Sequence, residues 1–268
     1  QTVQRHSQAK AQPARMRLPA PSVVWVKHAR LATIITDSKT KSAAKGALTW
    51  DLPTRIFHWL LAVCFCGSWI TAEAGFDWTE VHFLFGYTTL ALVVFRILWG
   101  FAGNDNARFK SFMASPANAL RALPNLVDDV AERYPGHSPY GGYAVLALLY
   151  FALAQAASGL FISDDILYAG PYNSVISKDL AGSVAWYHHL NFKLFQAMVG
   201  LHLLAIVWYK WRKHESLVLP MITGKKKIAF AHAHKVSMIR ALLIIATAAA
   251  AVIFLLLLAP EPSPDDYF

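Results

Sequence analysis

Five long apolar runs constrain the fold of this chain more than any other feature. They cover about residues 56–74, 81–103, 143–163, 184–209 and 239–259. A helix that crosses a bilayer needs about 20 mostly apolar residues, and each run reaches roughly that length. The runs also explain why only 15% of the residues are charged, since water-soluble domains usually have about 25%. The sequence therefore predicts an all-α integral membrane protein with five transmembrane helices.

Lysine and arginine alternate between rich and poor along the segments that connect these runs. Residues 1–55 contain ten, 73–80 none, 104–142 four, 164–183 one, 210–240 eight, and the C-terminal tail none. Because these residues collect in cytoplasmic loops, the pattern predicts a cytoplasmic N-terminus and a C-terminus on the outer side of the membrane. Topology thus explains the net charge of +9. Membrane lipid is the expected surrounding, and no nucleic-acid partner is expected because no basic patch stands apart from these loops.

The same boundaries divide the chain into three parts. Residues 1–49 are predicted to form a basic, largely disordered cytoplasmic arm, and residues 1–22 lack the apolar core of a secretory signal peptide. Residues 50–227 hold the first four spans. Residues 228–268 hold the fifth span and an acidic periplasmic tail.

Four histidines lie within the apolar runs, where ionisable residues are rare and usually functional. They are His58, His82, His188 and His202. His188 and His202 are 14 residues apart, which in a helix is a rotation only about 40° short of four full turns. Both side chains therefore face the same side of the helix, about 21 Å apart along its axis. His189 lies about 140° from His202, so it is expected to face a loop, a cofactor carboxylate or the outer surface.

The predicted topology sorts these histidines into two pairs at two depths. His58 and His202 lie toward the cytoplasm, whereas His82 and His188 lie toward the periplasm. A haem iron takes one axial ligand on each face, and neutral imidazole is a common axial ligand. A zinc site would need three or four ligands that converge at one point. A di-iron site would need carboxylates in the bundle core, and a proton relay would need acidic residues within the membrane. The pattern therefore favours two b-type haems in a helix bundle over these other uses.

Three glycines near these histidines are compatible with a bound haem, although they are weaker evidence for it than the histidines. Gly86 lies four residues after His82 on the same helical face, where it would let a planar ring approach the backbone. Gly67 and Gly159 are also small enough for this role. Membrane helices use glycine equally for plain packing, so these positions are compatible with either interpretation.

Other polar residues near the spans have two interpretations each. Arg55 and Arg96 stand at the predicted cytoplasmic ends of the first two spans, where they either pair with haem propionates or act as snorkelling anchors. His137 is either a loop histidine or part of a quinone site. Lys193 is expected to point outward, toward lipid headgroups or a partner.

Five stretches of the sequence are similar to a known family. They are WDLPTRIFHW (50–59), VHFLFGYTTLALVVFRILWGFAG (81–103), GHSPYGG (136–142), WYHHLNF (186–192) and GLHLLAIVWY (200–209). Together they resemble the bacterial cytochrome b561 family, and in particular its b-type cytochrome subunits of nickel-iron hydrogenase, over about residues 50–227. The resemblance implies a four-helix bundle in the bacterial inner membrane, so the outer side is periplasmic. It also implies two noncovalent, bis-histidine b haems, ligated by His58, His82, His188 and His202. The arm at 1–49 and the fifth span lie outside this shared core.

The resemblance also implies redox partners, and three functions stay open. Hydrogenase subunits of this type pass electrons from a periplasmic enzyme to quinone, and similar subunits serve cytochromes c or other dehydrogenases. The first function is an electron relay between such a periplasmic protein and the quinone pool or another partner. The second is a self-contained oxidoreductase that moves electrons from a small donor to quinone, with a pocket near His189 and Lys193. The third is an accessory or assembly subunit of a larger redox complex.

Overall fold

A computed structural model describes residues 47–122, 124, 136–163, 168–226 and 237–260. The predicted arm lies outside these residues except for its last three positions, and so does the acidic tail beyond residue 260. Helices predominate in the described part. It also contains one two-stranded antiparallel sheet, in which β1 (Ala47–Leu48) pairs with β2 (Lys225–Lys226).

Five helices in the described residues are long and apolar enough to cross a membrane, which confirms the predicted fold class. They are α1 (Leu52–Glu73), α2 (Thr79–Ala102), α5 (Pro139–Gly159), α6 (Lys178–Arg212) and α8 (Met238–Leu257). The short helices are α3 (Phe109–Phe112), α4 (Pro116–Arg121) and α7 (Val218–Thr223). With its 35 residues, α6 extends about 52 Å, well beyond the bilayer's apolar core of about 30 Å.

Capping residues start three of the long helices ahead of the apolar runs. The Asp51 carboxylate accepts a hydrogen bond from the Thr54 amide at 2.8 Å. Ser138 and Ser177 cap α5 and α6 in the same way, each accepting from an amide three residues later. Such side chains satisfy amides that have no partner inside the helix. The helices therefore begin four to six residues before the predicted spans at 56, 143 and 184, because hydropathy marks the apolar part and the cap marks the helix start.

Helix α2 lies at the centre of the packing. It contacts α1, α5 and α8, and α5 in turn contacts α6. Val93 and Trp99 on α2 have 0% exposure. The fifth long helix, α8, packs through Ala241 and Ala248, whose small side chains let its backbone approach closely. This helix is therefore packed onto the bundle, beside the central helix.

Aromatic rings, rather than closely packed backbones, connect α1 with α6. Phe65 on α1 lies 5.0 Å from Phe195 and 6.2 Å from Phe192 between ring centres. We call these three residues the aromatic layer. Phe195 is seven residues from both His188 and His202, so the layer lies midway between the two predicted histidine pairs.

Gly224 fixes the chain segment that leads into α1. Its carbonyl oxygen accepts hydrogen bonds from the Thr49 and Trp50 amides at 2.8 and 3.1 Å. The residue ends α7 with a φ of 79°, a left-handed conformation that favours glycine. A Cβ at this position would lie 2.8 Å from the carbonyl oxygen of Trp50. The end of α7 is therefore held against the start of α1 at a position that requires glycine.

We expect Gly224→Ala to lower the free energy of unfolding by about 1–3 kcal/mol, the cost of a strained left-handed residue. Thermal unfolding of the purified protein in detergent measures this loss. Gly182→Ala is the matched control, since a Cβ there meets nothing within 4 Å and alanine favours the helix. Equal destabilisation by both substitutions would contradict the assignment of strain to Gly224.

Candidate functional site

His58 on α1 and His202 on α6 come together at one end of the bundle. Their ring centres are 6.4 Å apart, and the ring planes are inclined by 53°. Imidazole nitrogens lie about 2 Å from a metal they ligate, so two rings on opposite sides of one metal have centres about 6 Å apart. The observed separation fits a single metal ion between the two imidazoles.

A buried ring nitrogen adds to this observation. Nδ1 of His58 is buried, and no hydrogen-bond partner for it exists among the residues that the structure describes. Buried polar groups in native proteins are normally paired, and each exception needs an explanation. No group of the described residues therefore fixes the orientation of this ring through Nδ1.

His82 on α2 and His188 on α6 line a shared cavity near the other end of α1. The cavity has a volume of about 490 Å³, within the range of roughly 300–1,000 Å³ found for small-molecule and cofactor pockets. Phe65 and Phe195 of the aromatic layer form part of its wall. The cavity therefore brings together the second predicted histidine pair and is bounded by the layer on its inner side.

Neighbouring groups set the orientation of both rings in this cavity. Nδ1 of His82 lies 3.0 Å from the carbonyl oxygen of Ser68, and Nδ1 of His188 lies 2.9 Å from the Ser158 hydroxyl. A carbonyl oxygen only accepts, so His82 carries its proton on Nδ1. Its Nε2 is then left without a proton and available to a metal.

Glycines near this cavity have different surroundings. A Cβ on Gly86, which lines the cavity, would meet nothing within 4 Å, so its face is open to a bound ring. A Cβ on Gly159 would come within 3.4 Å of the His188 ring. Gly67 instead packs against the Phe85 ring, so it serves the contact between α1 and α2 and offers no space for a cofactor.

Comparison with protein families identifies the class of this bundle. The family model for prokaryotic cytochrome b561 matches residues 49–224, which is more than half of the chain. The chain belongs to the prokaryotic cytochrome b561 family. No curated protein and no solved structure gives a significant match.

Family membership confirms the resemblance seen in the sequence. It establishes an integral membrane b-type cytochrome, a class that binds b-type haem and takes part in transmembrane electron transfer. The residues of the cavity fit such a group, since they offer imidazole ligands, an open glycine face and an apolar aromatic wall. The match ends at residue 224, so α8 lies outside it.

The two arginines of this cytochrome contact groups of the chain itself. Arg55 donates a hydrogen bond from Nη1 to the Ile222 carbonyl oxygen. Arg96 is 3% exposed and lies over the Phe109 ring, with Cζ 5.3 Å from the ring centre. Arg96 therefore does not extend to water, as a snorkelling anchor would. Nη1 of Arg96 and Nε of Arg55 are both buried and lack a hydrogen-bond partner within the described residues.

His137 is more enclosed than an ordinary loop histidine. Its ring centre lies 4.7 Å from that of Trp50 and 4.6 Å from that of Phe112. Burial, together with the positive charges of Arg96 and Lys226, lowers the pKa of His137 to about 3. The ring is therefore neutral at physiological pH and packs as an aromatic group where α3 meets the start of α5.

His189 and Lys193 differ from the four predicted histidines in exposure. His189 is exposed at the edge of the cavity, and its ring is perpendicular to that of His188 with centres 6.0 Å apart. Lys193 is exposed on α6. The structure thus separates the adjacent histidines, with His188 turned toward Ser158 and His189 at the surface.

Sequence reasoning missed the partners that hold the rings. Ser158 and the Ser68 carbonyl had no recognisable signal, because a serine in an apolar helix and a main-chain oxygen belong to no motif. Asn191 was also missed. It is 1% exposed and donates to the Phe151 carbonyl oxygen at 3.0 Å and to the Gln155 side chain at 2.6 Å. These bonds fix α6 against α5 three residues after His188.

Proposed function

We propose that this chain is a dihaem b-type cytochrome that carries electrons across the bacterial cytoplasmic membrane between a periplasmic redox protein and the quinone pool. The observation that carries the proposal is the pairing of four histidines from three helices at two separate places in one bundle. His58 and His202 have ring centres 6.4 Å apart, and His82 and His188 line one cavity.

Each histidine pair is proposed to ligate one haem iron. Bound haem b supplies a one-electron couple between Fe(III) and Fe(II) at each site. Two helices supply the imidazoles of each pair. At the His82–His188 cavity, Nδ1 of His82 lies beside the Ser68 carbonyl oxygen and Nδ1 of His188 beside the Ser158 hydroxyl. The aromatic layer lies between the two sites.

Arg55 and Arg96 are proposed to contact haem propionates at the His58–His202 site. Support comes from their buried donor atoms, Nε of Arg55 and Nη1 of Arg96, which have no acceptor among the described residues. Charge-assisted hydrogen bonds to a carboxylate would satisfy such donors. Arg55 is three residues before His58 on the first turn of α1, which places it near that site.

The distribution of positive charge supports the proposed orientation. In the sequence, Lys and Arg are concentrated before α1, between α2 and α5, and between α6 and α8. If each long helix crosses the membrane once, these three segments share one side of it. This side is proposed to be cytoplasmic. His82 and His188 then ligate the periplasmic haem, which faces a hydrogenase, a cytochrome c or another dehydrogenase. His58 and His202 ligate the cytoplasmic haem.

The self-contained oxidoreductase remains the second candidate. The cavity around His82 and His188 is partly open, and the exposed His189 stands at its edge. A small donor reaching this edge would need no protein partner. The accessory-subunit hypothesis has weaker support, since it rests on α8 lying outside the family match.

Transmembrane electron transfer by the purified protein tests the proposal. We expect sealed vesicles containing the haem-loaded protein and trapped ferricyanide to reduce the ferricyanide when a membrane-impermeant reductant is added outside. Protein-free vesicles measure leakage. Equal rates in both preparations would contradict the relay. Turnover of a soluble quinone with a small physiological reductant, with no protein partner present, would instead favour the self-contained oxidoreductase.

A further inference from the structure

His82 and His188 differ from His58 in how Nδ1 is bonded. In the His82–His188 cavity both Nδ1 atoms have a partner, the Ser68 carbonyl oxygen and the Ser158 hydroxyl. At the other pair, Nδ1 of His58 is buried without a partner in the part of the chain that the structure describes. The difference affects how strongly each ring donates electron density to a metal that it ligates, because an acceptor on one ring nitrogen makes the other more basic.

The surroundings of Ser158 favour one direction for its hydrogen bond to His188. Its hydroxyl lies 2.7 Å from the Ala154 carbonyl oxygen and 3.1 Å from the Gln155 carbonyl oxygen, both in α5. A hydroxyl has a single proton, so while it donates to either carbonyl its oxygen accepts from His188. In this arrangement His188 carries its proton on Nδ1. Ser158 is 8% exposed, so bulk water does not compete for this bond.

His82 is held in the same tautomer by a different group. The Ser68 carbonyl oxygen lies 3.0 Å from its Nδ1 and has no proton to donate. Both rings in the cavity thus present an unprotonated Nε2, which is the form that ligates metals. Both also have an acceptor on the far side of the ring, which raises the basicity of the ligating nitrogen.

We propose that Ser158 is a positioning residue that fixes the His188 tautomer, and that the acceptors on His188 and His82 give the haem in this cavity a lower reduction potential than the haem at His58 and His202. The proposal rests on the proposed haem ligation. A more basic ligand stabilises the more highly charged Fe(III) state, and hydrogen bonding around a ligand is one means by which proteins set haem potentials.

This asymmetry gives the electron a favourable direction through the bundle. With haem bound at both sites, His82 and His188 would hold the iron that is oxidised from Fe(II) to Fe(III), and His58 and His202 the iron that is reduced from Fe(III) to Fe(II) by the same electron. Electrons therefore run downhill from the proposed periplasmic site to the proposed cytoplasmic site.

A redox titration of the purified holoprotein, followed by optical spectroscopy, tests the proposal. Ser158→Ala removes the side-chain acceptor of His188 and leaves the Gln155 carbonyl oxygen beside the ring. We expect the lower-potential wave to move upward by a threefold to tenfold change in the reduction equilibrium, or about 30–59 mV for one electron. The higher-potential wave should stay in place. A titration of His188→Ala identifies the waves, since only the higher one should remain.

Controls separate this role from a general effect on packing. Thr247→Ala on α8 removes the same kind of hydroxyl bond to a carbonyl oxygen four residues earlier. This bond is exposed and Thr247 does not line the cavity, so the variant should shift neither wave. Ser158→Thr keeps the hydroxyl and should restore the original potential. If Ser158→Ala fails to retain haem, Ser158→Cys replaces it, because a thiol is a weaker acceptor than a hydroxyl. This variant should also move the lower-potential wave upward and leave the higher one in place.

Three outcomes would overturn the proposal: an unchanged lower wave, an equal shift of both waves, or assignment of the higher wave to the His188 site. The proposed function is tested separately by the haem content of the unmodified protein. Two haems per chain with no effect of Ser158→Ala would contradict only the inference about Ser158. Fewer than two haems would contradict the proposed function itself.

Discussion

His188→Ala should remove one haem from the protein, whereas His189→Ala should leave both. The physical reason is the orientation that α6 gives to these neighbours. His188 is held by Ser158 inside the cavity, and His189 is exposed at its edge with its ring perpendicular to that of His188. A pyridine haemochrome assay should therefore show a decrease from about two b haems per chain to about one in the first variant.

The partner on the opposite face of the same haem supplies an internal check. His82→Ala should cause the same loss as His188→Ala, and the double variant should lose no more than either alone. Retention of both haems in His188→Ala, together with loss of one in His189→Ala, would show that the helical register is wrong. Circular dichroism of each variant would establish that the helices remain formed.

His202→Ala should abolish transmembrane electron transfer while leaving the haem at His82 and His188 in place. The bundle then has no acceptor at the end of the electron path, because His58 lacks an opposing imidazole. We expect ferricyanide reduction inside sealed vesicles to fall to the rate of protein-free vesicles. The remaining haem should still be reduced by dithionite, which distinguishes loss of one site from loss of the fold.

His214→Asn is a suitable control for this variant. His214 is exposed beyond the end of α6 and has a φ of 50°, a conformation that asparagine tolerates. This substitution removes an imidazole on the same side of the bundle as His202 without adding backbone strain. Wild-type transfer is expected. Loss of transfer in both variants would indicate that the effect of His202→Ala is not specific to ligation.

Much of the fold could be predicted because a membrane imposes simple rules on sequence. The five spans follow from hydropathy, since a spanning helix must be apolar over about 20 residues. The helix ends were less predictable. Asp51, Ser138 and Ser177 begin helices in polar sequence, where backbone capping rather than hydropathy decides the boundary.

The sequence predicts the relative positions of two histidines on the same helix, because the rise and turn of a helix do not depend on the rest of the fold. The 14-residue separation of His188 and His202 places both on one face of α6 whatever the surrounding fold. Which histidine on another helix meets each of them depends on how the helices pack. Arg96 and Gly67 show what a local pattern misses. Arg96 is buried over the Phe109 ring and Gly67 packs against the Phe85 ring, and both contacts are with residues of other helices.

The sequence by itself determined the class of protein, the five spans and the four histidines that define the candidate sites. These properties depend on composition and on the fixed rise and turn of one helix. Only the tertiary structure decided which groups surround each ring. Ser158 reaches His188 because α5 packs against α6, and Ser68 reaches His82 because α1 packs against α2. Such contacts join residues far apart in the chain, so no local pattern contains them.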